Sequence, residues 1–210
     1  MMKNILITGG SGFIGSRLCE KLHERGYKIT ILDNLSEQIH GTAESSLFQK
    51  VKGKCIFIKG DVRNKKDWKE AIKGQDIVVH LAAETGTGQS MYEIEKYNDV
   101  NIMGTANLLE ILSNTEHSVK KMIVASSRAI YGEGKYNCKI HGDQYPSKRK
   151  EKNMKKGEFN PKCDICNTEL NLVATDEKSK IHPSSIYGIN KQQQEQMVML
   201  IGKTLGIPAV

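Results

Sequence analysis

Near its start the chain reads "NILITGGSGFIG", residues 4–15. A short apolar run ends in glycines, and a helical pattern follows at once, with Ile14, Leu18 and Leu22 on one face and Gly26 to stop it. Glycine at 9, 12 and 15 serves three needs. The chain must turn tightly, the backbone must come close to whatever the turn holds, and the helix must pack hard on the strand. Few folds place a strand, a glycine turn and a helix in that order, so this stretch limits the architecture more than any other.

The rest of the first half repeats the alternation. "KITILD" (28–33), "CIFIKGD" (55–61), "DIVVHLAA" (76–83) and "KKMIVASS" (120–127) read as strands, while "WKEAI" (68–72) and residues 101–112 read as helices. Near-continuous apolar strands separated by helices imply a parallel sheet covered on both faces. The expected class is therefore α/β, a doubly wound parallel sheet. From residue 132 to about 177 the pattern breaks into polar, basic sequence that is poor in aliphatics and holds three of the five cysteines. Periodicity resumes at Ser184 in a helix through Lys203, and "GIPAV" reads as the opening of another buried strand. The expected division is one domain over 1–131 and 178–210, with 132–177 as an inserted flap and a C-terminal substrate domain beyond Val210.

The glycine turn also carries chemistry. A helix N-terminus offers free amides and the positive end of a dipole, which suits a pyrophosphate. Asp33 closes the second strand, where a carboxylate accepts from both hydroxyls of an adenosine ribose and repels a 2′-phosphate. The pair points to NAD rather than NADP. Later, "SSIYGINK" sets Tyr187 and Lys191 four residues apart, on one helix face. Tyrosine is a poor base at its ordinary pKa of about 10, but a neighbouring ammonium favours the phenolate. On its own Tyr-x-x-x-Lys arises by chance on many helices; after a dinucleotide turn and an upstream "SSRAIYG" it becomes specific.

Together, "GGSGFIG", "DN" at 33–34, "GDV" at 60–62, "HLAA" at 80–83, "VNIMGT" at 100–105, "SSRAIYG" at 126–132 and Tyr187/Lys191 resemble the extended short-chain dehydrogenase/reductases, in their nucleotide-sugar epimerase and dehydratase branch. The resemblance implies an NAD-binding Rossmann fold. It places Gly9, Gly12, Phe13, Ile14, Gly15, Asp33 and Asn34 on the cofactor, with Asp61 and Val62 by the adenine. Leu81, Ala82 and Ala83 are implied along the cofactor, Asn101 near it, and Tyr187 and Lys191 at its nicotinamide end. Ser127, four residues before Tyr131, is implied as the catalytic serine, relaying a proton between the sugar oxygen and Tyr187.

The branch's 4,6-dehydratases carry an Asp-Glu pair where this chain has Arg128 and Ala129, so the resemblance disfavours dehydration, and Asp33 disfavours its NADPH-dependent reductases. What it implies is an NAD-dependent nucleotide-sugar 4-epimerase, an isomerase with no net redox, that works as a homodimer. "HLAAETGTGQSMYEI", "SSRAIYGEGKYNCKIHG", "PKCDIC" and "SSIYGINKQQQEQM" are similar to the subfamily acting on dTDP-L-rhamnose; UDP-hexose 4-epimerases are the alternative. From another class, a non-catalytic NAD-binding regulator would not need Ser127, Tyr187 and Lys191.

Two knuckles mark the insert: Cys138-x2-His141 and, after 21 intervening residues, Cys163-x2-Cys166. Four soft ligands with no open position match a closed, structural zinc site, with reduced thiols as the alternative. The insert also concentrates charge. Between 135 and 162 stand nine Lys/Arg against three acids, which supplies +6 of the chain's formal +7. Such a run is a solvated loop more often than a nucleic-acid face, and Tyr136, Tyr145 and Phe159 are too scattered to read bases. An odd cysteine count, no apolar leader and no segment of about 18 apolar residues lead to the expectation of a cytoplasmic protein without a membrane span. His80 reads as a core histidine, glutamines 192–194 as an exposed helix face, and Met197 as core or a dimer contact.

Overall fold

The computed structural model describes residues 3–41, 46–146 and 149–210. Five parallel strands form the main sheet: β1 (Asn4–Thr8), β2 (Lys28–Asp33), β3 (Ile56–Lys59), β4 (Ile77–His80) and β5 (Lys121–Val124), in the order β3-β2-β1-β4-β5. Helices α1 (Phe13–Glu24), α2 (Glu37–His40), α3 (Ser46–Val51), α4 (Lys65–Ala71), α5 (Ile94–Tyr97) and α6 (Gly104–Asn114) fill the connections. The doubly wound expectation holds.

Side chains alternate across the sheet with the period of two that a pleated strand imposes. Leu6, Leu32 and Val78 enter one core with Trp68, Leu108, Leu112 and Val198. Ile5, Ile7, Ile29, Ile31 and Val79 enter the other, against Cys19 of α1 and Val51 of α3. Both faces are covered, which is why these strands carry apolar residues at nearly every position. Trp68 is fully buried and its indole N–H donates to the Val62 carbonyl at 2.7 Å, so the largest core side chain hides no unpaired donor.

Several boundaries differ from the sequence expectation. The strand expected over 76–83 is confined to Ile77–His80; Leu81 N still bonds Thr8 O of β1 at 3.1 Å, and residues 81–83 run on beyond the strand's carboxyl end. Before α6 runs a π-helical turn, Asn98–Met103, which rotates Asn101 inward to full burial. Residues 208–210 bond to the free edge of β5 through Met122 N to Pro208 O (2.9 Å) and Val210 N to Met122 O (3.1 Å), as a sixth parallel strand would.

Residues 132–177 stand apart from this sheet. There β6 (Tyr136–Cys138), β7 (Gly142–Gln144) and β8 (Asn171–Leu172) form a small antiparallel sheet of order β7-β6-β8, with a short helix α7 (Glu151–Met154) between β7 and β8. The chain then enters α8 (Ile186–Leu205), capped by the Ser185 hydroxyl, which accepts from Gly188 N at 3.0 Å, and closed by Gly206 in the left-handed region.

Candidate active site

The strand order reverses between β1 and β4, and in open α/β sheets the crevice beyond the strands' carboxyl ends at such a point takes ligands. A cavity of about 370 Å³ lies there. Gly9, Gly12, Phe13, Ile14, Gly15, Asp33, Asn34, Val62, Leu81, Ala82, Ala83, Tyr187 and Lys191 line it together. Asp61, Asn101 and Ser127 do not.

The turn at its floor tolerates no side chain at Gly9 or Gly15. Gly9 has φ +65°, and a Cβ there would stand 2.8 Å from Ala82 N. A Cβ on Gly15 would meet the Gly9 carbonyl and stand 2.6 Å from Gly10 Cα. Helix α1 begins at this floor with no side-chain cap, so its first amides stay available. Ser11 adds a signal: its hydroxyl oxygen is buried and unpaired. Asp33 is buried and shaped by the turn, its two carboxylate oxygens accepting from Ser11 N and Leu35 N, both at 2.9 Å. Leu35 sits at φ +54°, a conformation this bond helps to hold.

Asp61 is not part of the lining, although Gly60 and Val62 on either side of it are. Burial raises its pKa, but the Arg63 guanidinium, Arg63 N and the Asn34 amide outweigh that and hold it at about 2. Asn101 braces the loop after β4: its Oδ1 accepts from Glu84 N at 2.8 Å and its Nδ2 donates to Glu84 O at 3.1 Å. Both residues support lining residues, Asn34 and Glu84, rather than the cavity itself.

Tyr187 and Lys191 share the cavity-facing side of α8, one turn apart. Tyr97 packs edge-on against Tyr187, with ring centroids 6.4 Å apart, and its own hydroxyl donates to Thr85 O at 2.7 Å. Lys191 is only 3% exposed, and this burial lowers its pKa to about 8. Its Nζ donates to Gln194 Oε1 at 3.0 Å. Gln194 is 1% exposed, which corrects the reading of residues 192–194 as a surface face; only Gln193 of the three is exposed. His80 is buried as expected, and burial together with the Lys191 charge lowers its pKa to about 3.

A second cavity, also of about 370 Å³, is lined by Thr87, Arg128, Ala129, Gly132, Glu133, Tyr136, Arg149, Leu172, Ser184 and Ser185. Three segments run from one cavity into the other: Thr85 to Thr87, Ser126 to Arg128, and Tyr187 to Ser185. Ser127 lies between Ser126 and Arg128, its Oγ accepting from Ala129 N at 3.1 Å and its proton left to donate. Half of this cavity's wall is the insert, a contribution that polar, aperiodic sequence gives no means of placing.

Within the insert the two knuckles meet. His141 Nδ1 lies 3.6 Å from both Cys138 Sγ and Cys163 Sγ, and Cys138 Sγ lies 3.6 Å from Cys166 Sγ. All four ligand atoms fall within 4.8 Å of one another. A tetrahedral ion with metal–sulfur bonds of about 2.3 Å separates its sulfurs by roughly 3.8 Å, so the donor set fits zinc. Around it the insert buries little else: Tyr136, Cys138, Cys163 and Leu170 are its core, with Cys166 packed alongside.

Parallel sheet, glycine cradle and a tyrosine–lysine helix at the switch point together define a dinucleotide-binding α/β protein of the short-chain dehydrogenase/reductase type. The NAD dependent epimerase/dehydratase family matches residues 5–161, and the chain belongs to that family. It is 32% identical over 198 residues to a dTDP-L-rhamnose 4-epimerase of Burkholderia thailandensis, covering 93% of this chain and 53% of that protein. A putative UDP-glucose 4-epimerase of Methanocaldococcus jannaschii is 30% identical over 205 residues, covering 97% and 52%. Among solved structures, UDP-glucuronic acid 4-epimerase from Bacillus cereus, in complex with UDP-glucuronic acid and NAD, superimposes with a TM-score of 0.69 at 26% identity, over 99% of this chain and 55% of that one. The chain thus spans about half the length of each of these three proteins. No helix among the described residues is long and apolar enough to cross a membrane.

Proposed function

We propose that the protein is an NAD-dependent nucleotide-sugar 4-epimerase, with a dTDP-L-rhamnose-type sugar as its substrate and UDP-hexoses as the second choice. The observation that carries this reading is the pairing of two cavities across Ser127 and Tyr187. One has a pyrophosphate cradle; the other is polar and large enough for a hexose. Similarity over 93% of the chain to the Burkholderia enzyme favours the deoxyhexose.

In this reading Gly9, Gly12, Phe13, Ile14 and Gly15 receive the pyrophosphate, Asp33 and Asn34 the adenosine ribose, and Leu81, Ala82 and Ala83 the nicotinamide side. The buried, unpaired Ser11 hydroxyl and the uncapped α1 support that fit. NAD, when bound, supplies the means to oxidise and re-reduce the sugar carbon. The chain itself handles the proton. Tyr187 takes it from the sugar hydroxyl and returns it, Ser127 donates to the same oxygen, and Lys191 stabilises the phenolate. Arg128 and Ala129 offer no acid–base pair for expelling a hydroxyl. Asp61 and Asn101 act behind the site through Asn34 and Glu84.

Zinc belongs to the insert in this reading, held by Cys138, His141, Cys163 and Cys166. With so few buried apolar residues, ordering this segment draws on metal binding. A homodimer belongs to this reading, with Met103, Ile189, Met199 and Leu200 as the exposed apolar side chains on α8 and the turn before α6 that a partner copy would cover. The test is Tyr187→Phe in the full-length protein. Turnover should vanish while NAD stays bound; undiminished epimerisation would sink the mechanism.

A further inference from the structure

Behind Lys191 lies a chain of buried polar side chains that the proton chemistry does not use. Lys191 Nζ donates to Gln194 Oε1 (3.0 Å), and Gln194 Nε2 donates to Thr105 Oγ1 (2.7 Å). Thr105 gives its own proton to Asn101 O (2.6 Å), so its second lone pair must accept from His80 Nε2 (3.0 Å). That fixes the His80 tautomer, with Nδ1 accepting from Thr8 Oγ1 at 2.7 Å. Thr8 Oγ1 is accounted for as well, because it accepts from Leu81 N and Ala82 N, each at 3.2 Å. Thr8, His80, Asn101, Thr105, Lys191 and Gln194 are each no more than 3% exposed.

Burying six polar side chains is costly unless each finds its partners, and a half-satisfied network is worse than an apolar core. Here Thr8, His80 and Thr105 are each fully used, and Gln194 spends its carbonyl on Lys191 and its amide on Thr105. The network spans α8, the π turn and the first turn of α6, and the ends of β1 and β4. It has one member on α8 whose only task is to join the ammonium to the rest, and that is Gln194. His80 cannot take a second proton without facing Thr8's hydroxyl donor to donor, so the chain holds position and does not conduct.

We propose that Gln194 is a positioning residue for the reaction, fixing the Lys191 ammonium and tying it through Thr105 and His80 to the strand ends that frame the cofactor cavity. The inference rests on the epimerase reading for its effect on turnover, but not for the contact itself. Lys191 lines the cavity while one of its three N–H groups is held from behind, which leaves the others directed by that bond. Removing the amide frees a buried ammonium to swing and strips its carbonyl acceptor. Titratable groups near Lys191 are His80 of β4, on which its charge acts, and Tyr187 one turn back on α8; Glu84 lines the same cavity and is paired with Lys96 at 3.5 Å.

Full-length protein carrying Gln194→Leu, Gln194→Glu or, as a control, the exposed Gln193→Leu tests this. Lys191 must be charged to act, so kcat falls as pH rises through its pKa. With Gln194→Leu, kcat should fall roughly tenfold with KM for the nucleotide sugar near its original value, the cost of one hydrogen bond to a charged group. The alkaline limb should move to lower pH with Gln194→Leu, to higher pH with Gln194→Glu, and not at all with Gln193→Leu. Nζ-labelled lysine followed by NMR should show Lys191 titrating with the same two opposite displacements, whether or not any sugar is turned over. An unmoved Lys191 titration in Gln194→Glu overturns the proposal, even if Gln194→Leu does not fold. Absence of turnover in the unsubstituted protein, with the NMR displacements intact, overturns the epimerase reading and leaves the contact standing.

Discussion

Replacing Lys191 by methionine should make the protein more stable while ending its activity. Lys191 keeps a charge at 3% exposure, and its pKa is depressed from 10.5 to about 8. Each unit of depression corresponds to about 1.4 kcal/mol, so holding the ammonium in this site costs the fold roughly 3 kcal/mol at neutral pH. The sign follows from proton counts. Between pH 8 and 10.5 the unfolded chain binds the proton and the folded one does not, so the native protein gains stability as pH rises across that window. Methionine fills nearly the same volume with no charge, but it leaves Gln194 Oε1 without its donor, at about 1–2 kcal/mol. The net expectation is a gain of about 1–2 kcal/mol at pH 7 that falls through zero as pH rises and becomes a loss of about 1–2 kcal/mol by pH 10.5, where the lysine is already neutral and still donates to Gln194. Urea unfolding followed by circular dichroism at pH 7 and pH 10 reads it directly. A loss of more than about 1 kcal/mol at pH 7, or a gain independent of pH, would refute the assignment of Lys191 as a buried charge kept at the expense of stability.

Two other perturbations test different parts of the account. Gly15→Ala sets a Cβ against the Gly9 carbonyl and Gly10 Cα, backbone atoms that cannot move aside, so thermal unfolding should show a destabilisation of about 1–3 kcal/mol and dialysed protein should retain no NAD; wild-type cofactor content would refute the cradle. Metal analysis of metal-replete protein should return one zinc per chain, and Cys163→Ser/Cys166→Ser should lose it and expose residues 132–177 to proteolysis. A metal-free but protease-resistant insert would contradict the structural zinc site.

The sheet was legible in the sequence because burial on both faces makes its strands apolar throughout, and because the glycine turn between β1 and α1 has few other uses. Strand ends were less legible. Nothing in "DIVVHLAA" marks where pairing stops, since residues 81–83 stay apolar as they leave the sheet to line the cavity. Gln194 was misread because a run of three glutamines looks solvated by composition. Its spacing told otherwise, as Tyr187, Lys191, Gln194 and Val198 recur at helical intervals on the face turned to the core. Asp61 and Asn101 show a different limit. Motif position brought them near the cofactor site, yet which atom lines a cavity depends on contacts such as Asn34–Asp61 and Asn101–Glu84 that join distant segments. The insert gave up its cysteine and histidine ligands through spacing alone, but its share in the second cavity follows from tertiary packing that an aperiodic, lysine-rich stretch does not encode visibly.

The central claim is inversion at a sugar carbon without net redox. Purified full-length protein should be incubated with dTDP-L-rhamnose, UDP-glucose and UDP-galactose in separate reactions, and each followed by proton NMR for the C4 epimer while absorbance reports any NADH released to solution. A C4 epimer should accumulate to a fixed ratio, fastest from dTDP-L-rhamnose, with no net NADH. Accumulation of a dehydrated sugar, stoichiometric NADH, or no change in any of the three would contradict it.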